Sequence, residues 1–163
     1  MISPCARLVA ITFAAVLATQ SPRGSAQDAP FGFHWGDRSL PKPSEMLQEK
    51  NITALLYRRD TIPEQIRDAE EIILKVCDKE GLQQVIWVSR LLSGEEARRK
   101  FAVIYAEGAH RYGEADDGDP AAGTASWSSA RVTMFAKLAD PGFYHIVMIM
   151  DGPAFHSCGK RPD

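Results

Sequence analysis

The chain has 163 residues, 45% of them hydrophobic and 25% charged, and a formal net charge of −2. A balance this even, with no basic stripe, argues against a nucleic-acid partner. The length suits one small domain once a leader is set aside.

The chain opens MISPCARLVAITFAAVLATQSPRGSAQDAP. Arg7 supplies a positive start, Leu8 to Ala18 an uncharged and mostly apolar run, and Gly24-Ser25-Ala26 the small residues before a cut. That is the pattern of a secretory signal peptide over residues 1–26. The apolar run is far shorter than the roughly 20 residues a spanning helix needs, and no later run could cross a membrane. Cys5 precedes the apolar run, whereas a lipoprotein cysteine follows it, so soluble release is expected. Cleavage removes Arg7 and Arg23 and no acid, leaving residues 27–163 with a charge of about −4.

Phe31, Phe33 and Trp35 alternate with Gly32 and His34, which predicts three aromatics on one side of an extended segment. They are the candidate binding residues. The competing reading, favoured by their large burial energies, is that they fold back over the sheet. Ser44 to Lys50 follows Pro41 and Pro43 and suits two turns of helix or an irregular connection. Ile52 to Arg58 reads as a strand, with Ile52, Ala54 and Leu56 on one side. Asn51-Ile52-Thr53 matches a glycosylation sequon only by pattern. Arg59 to Ile66, broken by Pro63, reads as a loop.

The stretch from Glu70 to Gly113 founds the core. Ile72 to Cys77 and Leu82 to Leu92 are β-rich runs separated by Asp78-Lys79-Glu80-Gly81. Gly81 can take the positive φ that closes a short hairpin. The rival is a helix from Glu64 through Val76, because Ile66, Ala69, Ile73 and Val76 keep helical spacing. A helix from Ser93 to Gly113 is better marked. Ser93-Gly94-Glu95-Glu96 fits a capping box. Ala97, Phe101, Ile104, Tyr105, Gly108 and Tyr112 share one face. Glu95 with Arg99, Glu96 with Lys100, and Glu107 with Arg111 form i,i+4 pairs.

Glu114 to Gly123 is an acidic polar loop. Its carboxylates offer hard oxygens for calcium, but the spacing does not match an EF-hand loop, and an acidic turn in water is the commoner reading. Thr124 to Trp127 predicts a short strand and Arg131 to Leu138 a longer one. In the latter, Val132, Met134, Ala136 and Leu138 oppose Arg131, Thr133, Phe135 and Lys137. Phe143 to Met150 is a last, strongly apolar strand.

The segment Phe31-Gly32-Phe33-His34-Trp35-Gly36 after a signal peptide resembles small secreted proteins of Gram-negative envelopes. The strand, Gly-containing turn, strand and helix ending at Tyr112-Gly113, with Trp127 beyond, extend the resemblance. It implies a periplasmic α+β domain and transfers no catalytic residue.

Residues 27–163 keep two cysteines, Cys77 and Cys158. In an oxidising compartment an even pair reads as a disulfide. That bridge would tie down the tail 152–163. His145, His156 and Cys158 are the nearest thing to a metal set, but His156-x-Cys158 is too short for the usual ligand spacing. Phe155-His156-Ser157-Cys158-Gly159 lacks the first glycine of a nucleophile elbow. No phosphate loop, dinucleotide fingerprint or His-Glu-x-x-His is present.

The expected fold is α+β: a mainly antiparallel sheet of about five strands with the 93–113 helix on one face. The expected function is a small periplasmic binding or accessory domain acting by contact with an envelope protein, without cofactor or metal. The alternatives are a small hydrolase or metal-binding enzyme, and a purely structural envelope protein.

Overall fold

The structure is a computed structural model that describes residues 28–158 apart from Gln65 and Arg67. The expected signal peptide and the last residues of the tail lie outside the described residues.

Strands β1 (Glu45–Glu49), β2 (Ile52–Arg58), β3 (Ala69–Cys77) and β4 (Gly81–Ser89) come first. A short β5 (Leu92–Ser93) leads into helix α1 (Gly94–Tyr112). Strands β6 (Thr124–Trp127), β7 (Val132–Asp140) and β8 (Phe143–Asp151) follow. All eight belong to one sheet, ordered β1-β2-β3-β4-β8-β7-β6 with β5 pairing β8. Every pairing is antiparallel. The architecture is therefore α+β as expected, with eight strands among the described residues rather than about five.

The central hairpin forms where the β-branched runs predict it, and the helical alternative, Glu64 through Val76, does not form from Ala69 onward, where the chain is strand. Gly81 takes φ +68°, and Cys77 pairs with Gly81 across the turn. Gly36 N–H donates to the Leu82 carbonyl, and Leu82 N–H to that of Asp37. These bonds bring the N-terminal segment against Gly81, where a Cβ would strike the Gly36 backbone.

Three expectations are corrected. Ser44 to Lys50 is neither helix nor irregular: Glu45–Glu49 is strand, paired with β2 from Glu45↔Leu56 to Glu49↔Ile52. The second β-rich run does not extend unbroken to Leu92. It stops at Ser89, and pairing with β8 resumes at Leu92↔Tyr144. In the gap, the Ser89 hydroxyl accepts from Ile146 N–H and donates to the Arg90 carbonyl. Finally, Phe31 to Trp35 is not an extended segment. Pro30–Gly32 is a 3-10 turn, with Phe31 at φ +61°.

Register and the two-residue side-chain period assign the faces. One face carries the rows Tyr57–Ile72–Trp87–Met148–Met134–Ala125 and Leu55–Leu74–Val85–Met150–Val132–Trp127. Most of these side chains are buried, and Ala97 and Phe101 of α1 belong to the same cluster with Ala29 and Phe33. Helix and N-terminal segment therefore cover the same face. Ser93 caps α1 by the expected box: its hydroxyl accepts from Glu96 N–H, and the Glu96 carboxylate accepts from Ser93 N–H at 2.9 Å. The Ser93 N–H and hydroxyl, both donating to the Glu96 carboxylate, with Arg90 nearby, hold that carboxyl below its usual range. Of the three i,i+4 pairs, Glu95 with Arg99 forms. Lys100 instead meets Asp68 at 2.9 Å.

Trp127 fixes the far end of the helix. Its indole N–H donates to the Gly113 carbonyl at 2.8 Å, and its ring packs on both Tyr105 and Tyr112. A Cβ on Gly108 would come within 2.7 Å of Trp127 Cζ2 and Cη2. Helix propensity alone favours alanine over glycine by about 1 kcal/mol. Overpacking against the rigid indole opposes this by about 1–3 kcal/mol, so Gly108→Ala is expected to destabilise. Phenylalanine lacks the two clashing atoms. In a Trp127→Phe background the same substitution should become neutral or stabilising. Denaturant melts of the four proteins in that cycle measure the coupling.

Tyr57 gives a pH prediction. It is fully buried, and its hydroxyl donates to the Pro41 carbonyl at 2.7 Å. Burial disfavours the phenolate and raises the pKa from 10.0, pushed up to about 12. The folded chain keeps this proton where the unfolded chain has released it. The contribution to stability is complete below about pH 10 and is lost as pH rises through about 12, a fall of roughly 2–3 kcal/mol. Tyr57→Phe should flatten that decline, while costing about 1 kcal/mol at neutral pH for the lost hydrogen bond. Urea melts of both proteins across that alkaline range test the assignment.

Candidate functional site

The opposite face of the sheet is organised differently. The row Leu56–Ile73–Ile86–Ile149–Thr133 crosses five strands, and Val88–Val147–Phe135 runs beside it. Apart from Thr133 these positions are apolar, because β2, β3, β4 and β8 carry branched aliphatics on both sides of the pleat and β7 adds Phe135. Leu56 and Val147 are buried among their neighbours, while Ile73, Ile86, Val88, Ile149 and Phe135 are half-buried. None of the seven belongs to the core cluster or packs against it. Among the described residues, helix α1 and the N-terminal segment both lie on the other side.

The open face is bounded by polar groups. At one end Arg58 meets Glu71 at 2.7 Å and Glu45 at 3.7 Å. At the other, the row Ala54–Lys75–Gln84–Asp151 sits beneath the C-terminal tail. Gln84 donates to the Asp151 carboxylate at 2.6 Å. Lys75 Nζ lies 5.8 Å from the centre of the Phe155 ring. Gln83 is the bulged residue of β4; its carbonyl accepts from Gly152 N–H and its side-chain oxygen from Ala154 N–H. Cys77 and Cys158 are paired, their Cα atoms 5.6 Å apart, as the sequence leads one to expect. Among the described residues, the tail therefore closes one margin and leaves the apolar rows beside it open.

No family model, curated protein or solved structure matches the chain.

The expected binding residues Phe31, Phe33 and Trp35 are not on the open face. Phe33 is buried in the core, and Phe31 and Trp35 are half-buried against it. Trp35 also packs where a Cβ on Gly152 would sit, so the aromatic segment meets the start of the tail.

A depression of about 430 Å³ lies between the end of β4 and the first turns of α1, lined by Asp68, Arg90, Glu96, Arg99 and Lys100 among others. Its cations are engaged: Arg90 with Glu96 at 3.4 Å, Arg99 with Glu95, and Lys100 with Asp68. Ser89, at its floor, has its hydroxyl committed to backbone groups. This arrangement joins helix to sheet, and it presents neither a nucleophile with a base nor a converging set of unpaired charges.

The histidines are dispersed. His145 on β8 places Nδ1 2.8 Å from the Ser89 carbonyl, and His156 is exposed in the tail. Among the described residues, no group of three or more His, Cys, Asp or Glu side chains could hold a metal ion. Nor is any described helix long and apolar enough to cross a membrane.

The open face was missed in the sequence reading for a definite reason. Ile72-Ile73-Leu74 and Ile146-Val147-Met148-Ile149-Met150 are apolar on both sides of the strand. Such runs imply that both sheet faces are apolar, but they do not say which face receives α1.

Proposed function

We propose that this chain is a small exported binding or accessory domain of the cell envelope, acting by contact with another protein through the open face of its sheet. The carrying observation is the pair of apolar rows Leu56–Ile73–Ile86–Ile149 and Val88–Val147–Phe135, outside the core and framed by charged residues. Contiguous apolar surface with a polar frame is the ordinary signature of a protein-contact site. Export is supported by the leader pattern of residues 1–26 and by the cysteine pair, which suits an oxidising compartment.

Ile73→Glu and Ile86→Glu are expected to leave a folded protein, because both side chains are half-buried and outside the core. Each should abolish capture of a partner from an envelope extract by the tagged protein. Circular dichroism checks the fold, and quantitative mass spectrometry of the captured material reads the loss. Retention of the same partners by both variants would remove the open face from the function.

A further inference from the structure

The sheet ends in a strand that is unlike its other members. All five residues of β1 are exposed, and the strand pairs only with β2 among the described elements. Its outer row of N–H and C=O groups is thus available for another strand. Met46 is 66% and Leu47 52% exposed, on opposite faces of the strand. Glu45, Leu47 and Glu49 share one face, which the register with Leu56, Ala54 and Ile52 makes continuous with the open apolar face. Glu45 is only loosely engaged, 3.7 Å from Arg58. Among the described residues, Glu49 has no cation within ion-pair distance.

We propose that β1 is a docking edge for an extended segment of another polypeptide, one that carries a basic residue on either side of an apolar one. The inference rests on the protein-contact reading and specifies how the partner is held. Strand addition supplies main-chain hydrogen bonds, and alternate side chains supply selectivity. On one face the incoming strand would place cations opposite Glu45 and Glu49 and an apolar side chain opposite Leu47. On the other it would cover Met46. A second copy of this chain fits poorly. Full antiparallel pairing of β1 with itself sets Glu45 opposite Glu49 twice, and like charges directly opposite are destabilising.

The probes are two capped peptides, Lys-Val-Ile-Thr-Lys and Glu-Val-Ile-Thr-Glu. Amide hydrogen exchange on the full chain should show slowed exchange in Glu45–Glu49 with the lysine peptide. The glutamate peptide should bind about tenfold more weakly, from two charge pairs at up to about 1 kcal/mol each. The double variant Glu45→Lys with Glu49→Lys should reverse this preference while remaining folded. Equal binding of both peptides, no slowing in β1, or slowing confined to Ile73 and Ile86 would overturn the inference. So would a concentration-dependent dimer that the double variant abolishes, since this would assign the edge to a second copy. A partner captured by the charge-reversed variant but lost with Ile86→Glu would sink the edge and leave the contact reading standing. Capture unaffected by either change would sink both.

Discussion

Phe101→Ala is expected to remove about 3–5 kcal/mol of stability, a large part of what a domain of this size has. Phe101 is 4% exposed and lies one turn beyond Ala97, the other fully inward residue of α1. It belongs to the cluster that includes Trp87, Leu92 and Ile146, so its ring spans the gap between helix and sheet. Truncation loses the transfer energy of the ring and leaves a cavity that rigid strands cannot close. Arg98, on the same helix but exposed, is the matched control, and Arg98→Ala should change stability by no more than about 0.5 kcal/mol. Urea melts of the two variants, compared at equal slope, decide the matter. Equal midpoints would mean that the helix faces the sheet with a different side.

The helix was readable because several local signals agree. Ser93 and Glu96 make the capping box that their spacing predicts, and Phe101 is buried as the apolar stripe requires. The stripe is less uniform than it looks in sequence. Tyr105 is only half-buried: its ring packs on Trp127 while its hydroxyl donates to Glu114. The alternation in β7 was also informative, with Val132 and Met134 buried and Thr133 and Lys137 exposed. Leu138 departs from it at 58% exposure, near the end of the strand.

Other elements were hidden for physical reasons. Glu45-Met46-Leu47-Gln48-Glu49 is a run of good helix formers, yet it is strand because β2 offers a ladder along its whole length. Local preference yields there to tertiary pairing. Ile52, Ala54 and Leu56 do share a side, but that side is the open face; Leu55 and Tyr57 supply the core. The candidate site inherits the same difficulty. Phe31, Phe33 and Trp35 carry the strongest aromatic signal in the chain, and burial claims them. The surface left for contact is marked only by branched aliphatics that look like core.

Loss of the Cys77–Cys158 bond should be comparably costly, and differently distributed. The two residues are 81 apart in sequence, so the bond closes a long loop. In the chain-entropy model such a cross-link stabilises by about 4–5 kcal/mol, and removal of native bridges typically costs about 2–5. Cys77 is 1% exposed at the end of β3, so Cys77→Ser would also bury a hydroxyl without an assured partner. Cys158→Ser, at the less buried end, is the cleaner change. It should lower the unfolding midpoint through the unfolded chain's added freedom while leaving the hairpin in place. Among the described residues, the tail would still keep the Gln83 hydrogen bonds, the Trp35 packing at Gly152 and the Lys75 contact with Phe155. Hydrogen exchange at Phe155 to Cys158 should then accelerate far more than exchange in β3 and β4. Mass spectrometry of an unreduced digest establishes the bond itself. If both thiols are freely alkylated in folded protein, or if the variant melts as the parent does, the bridge does not hold this fold together.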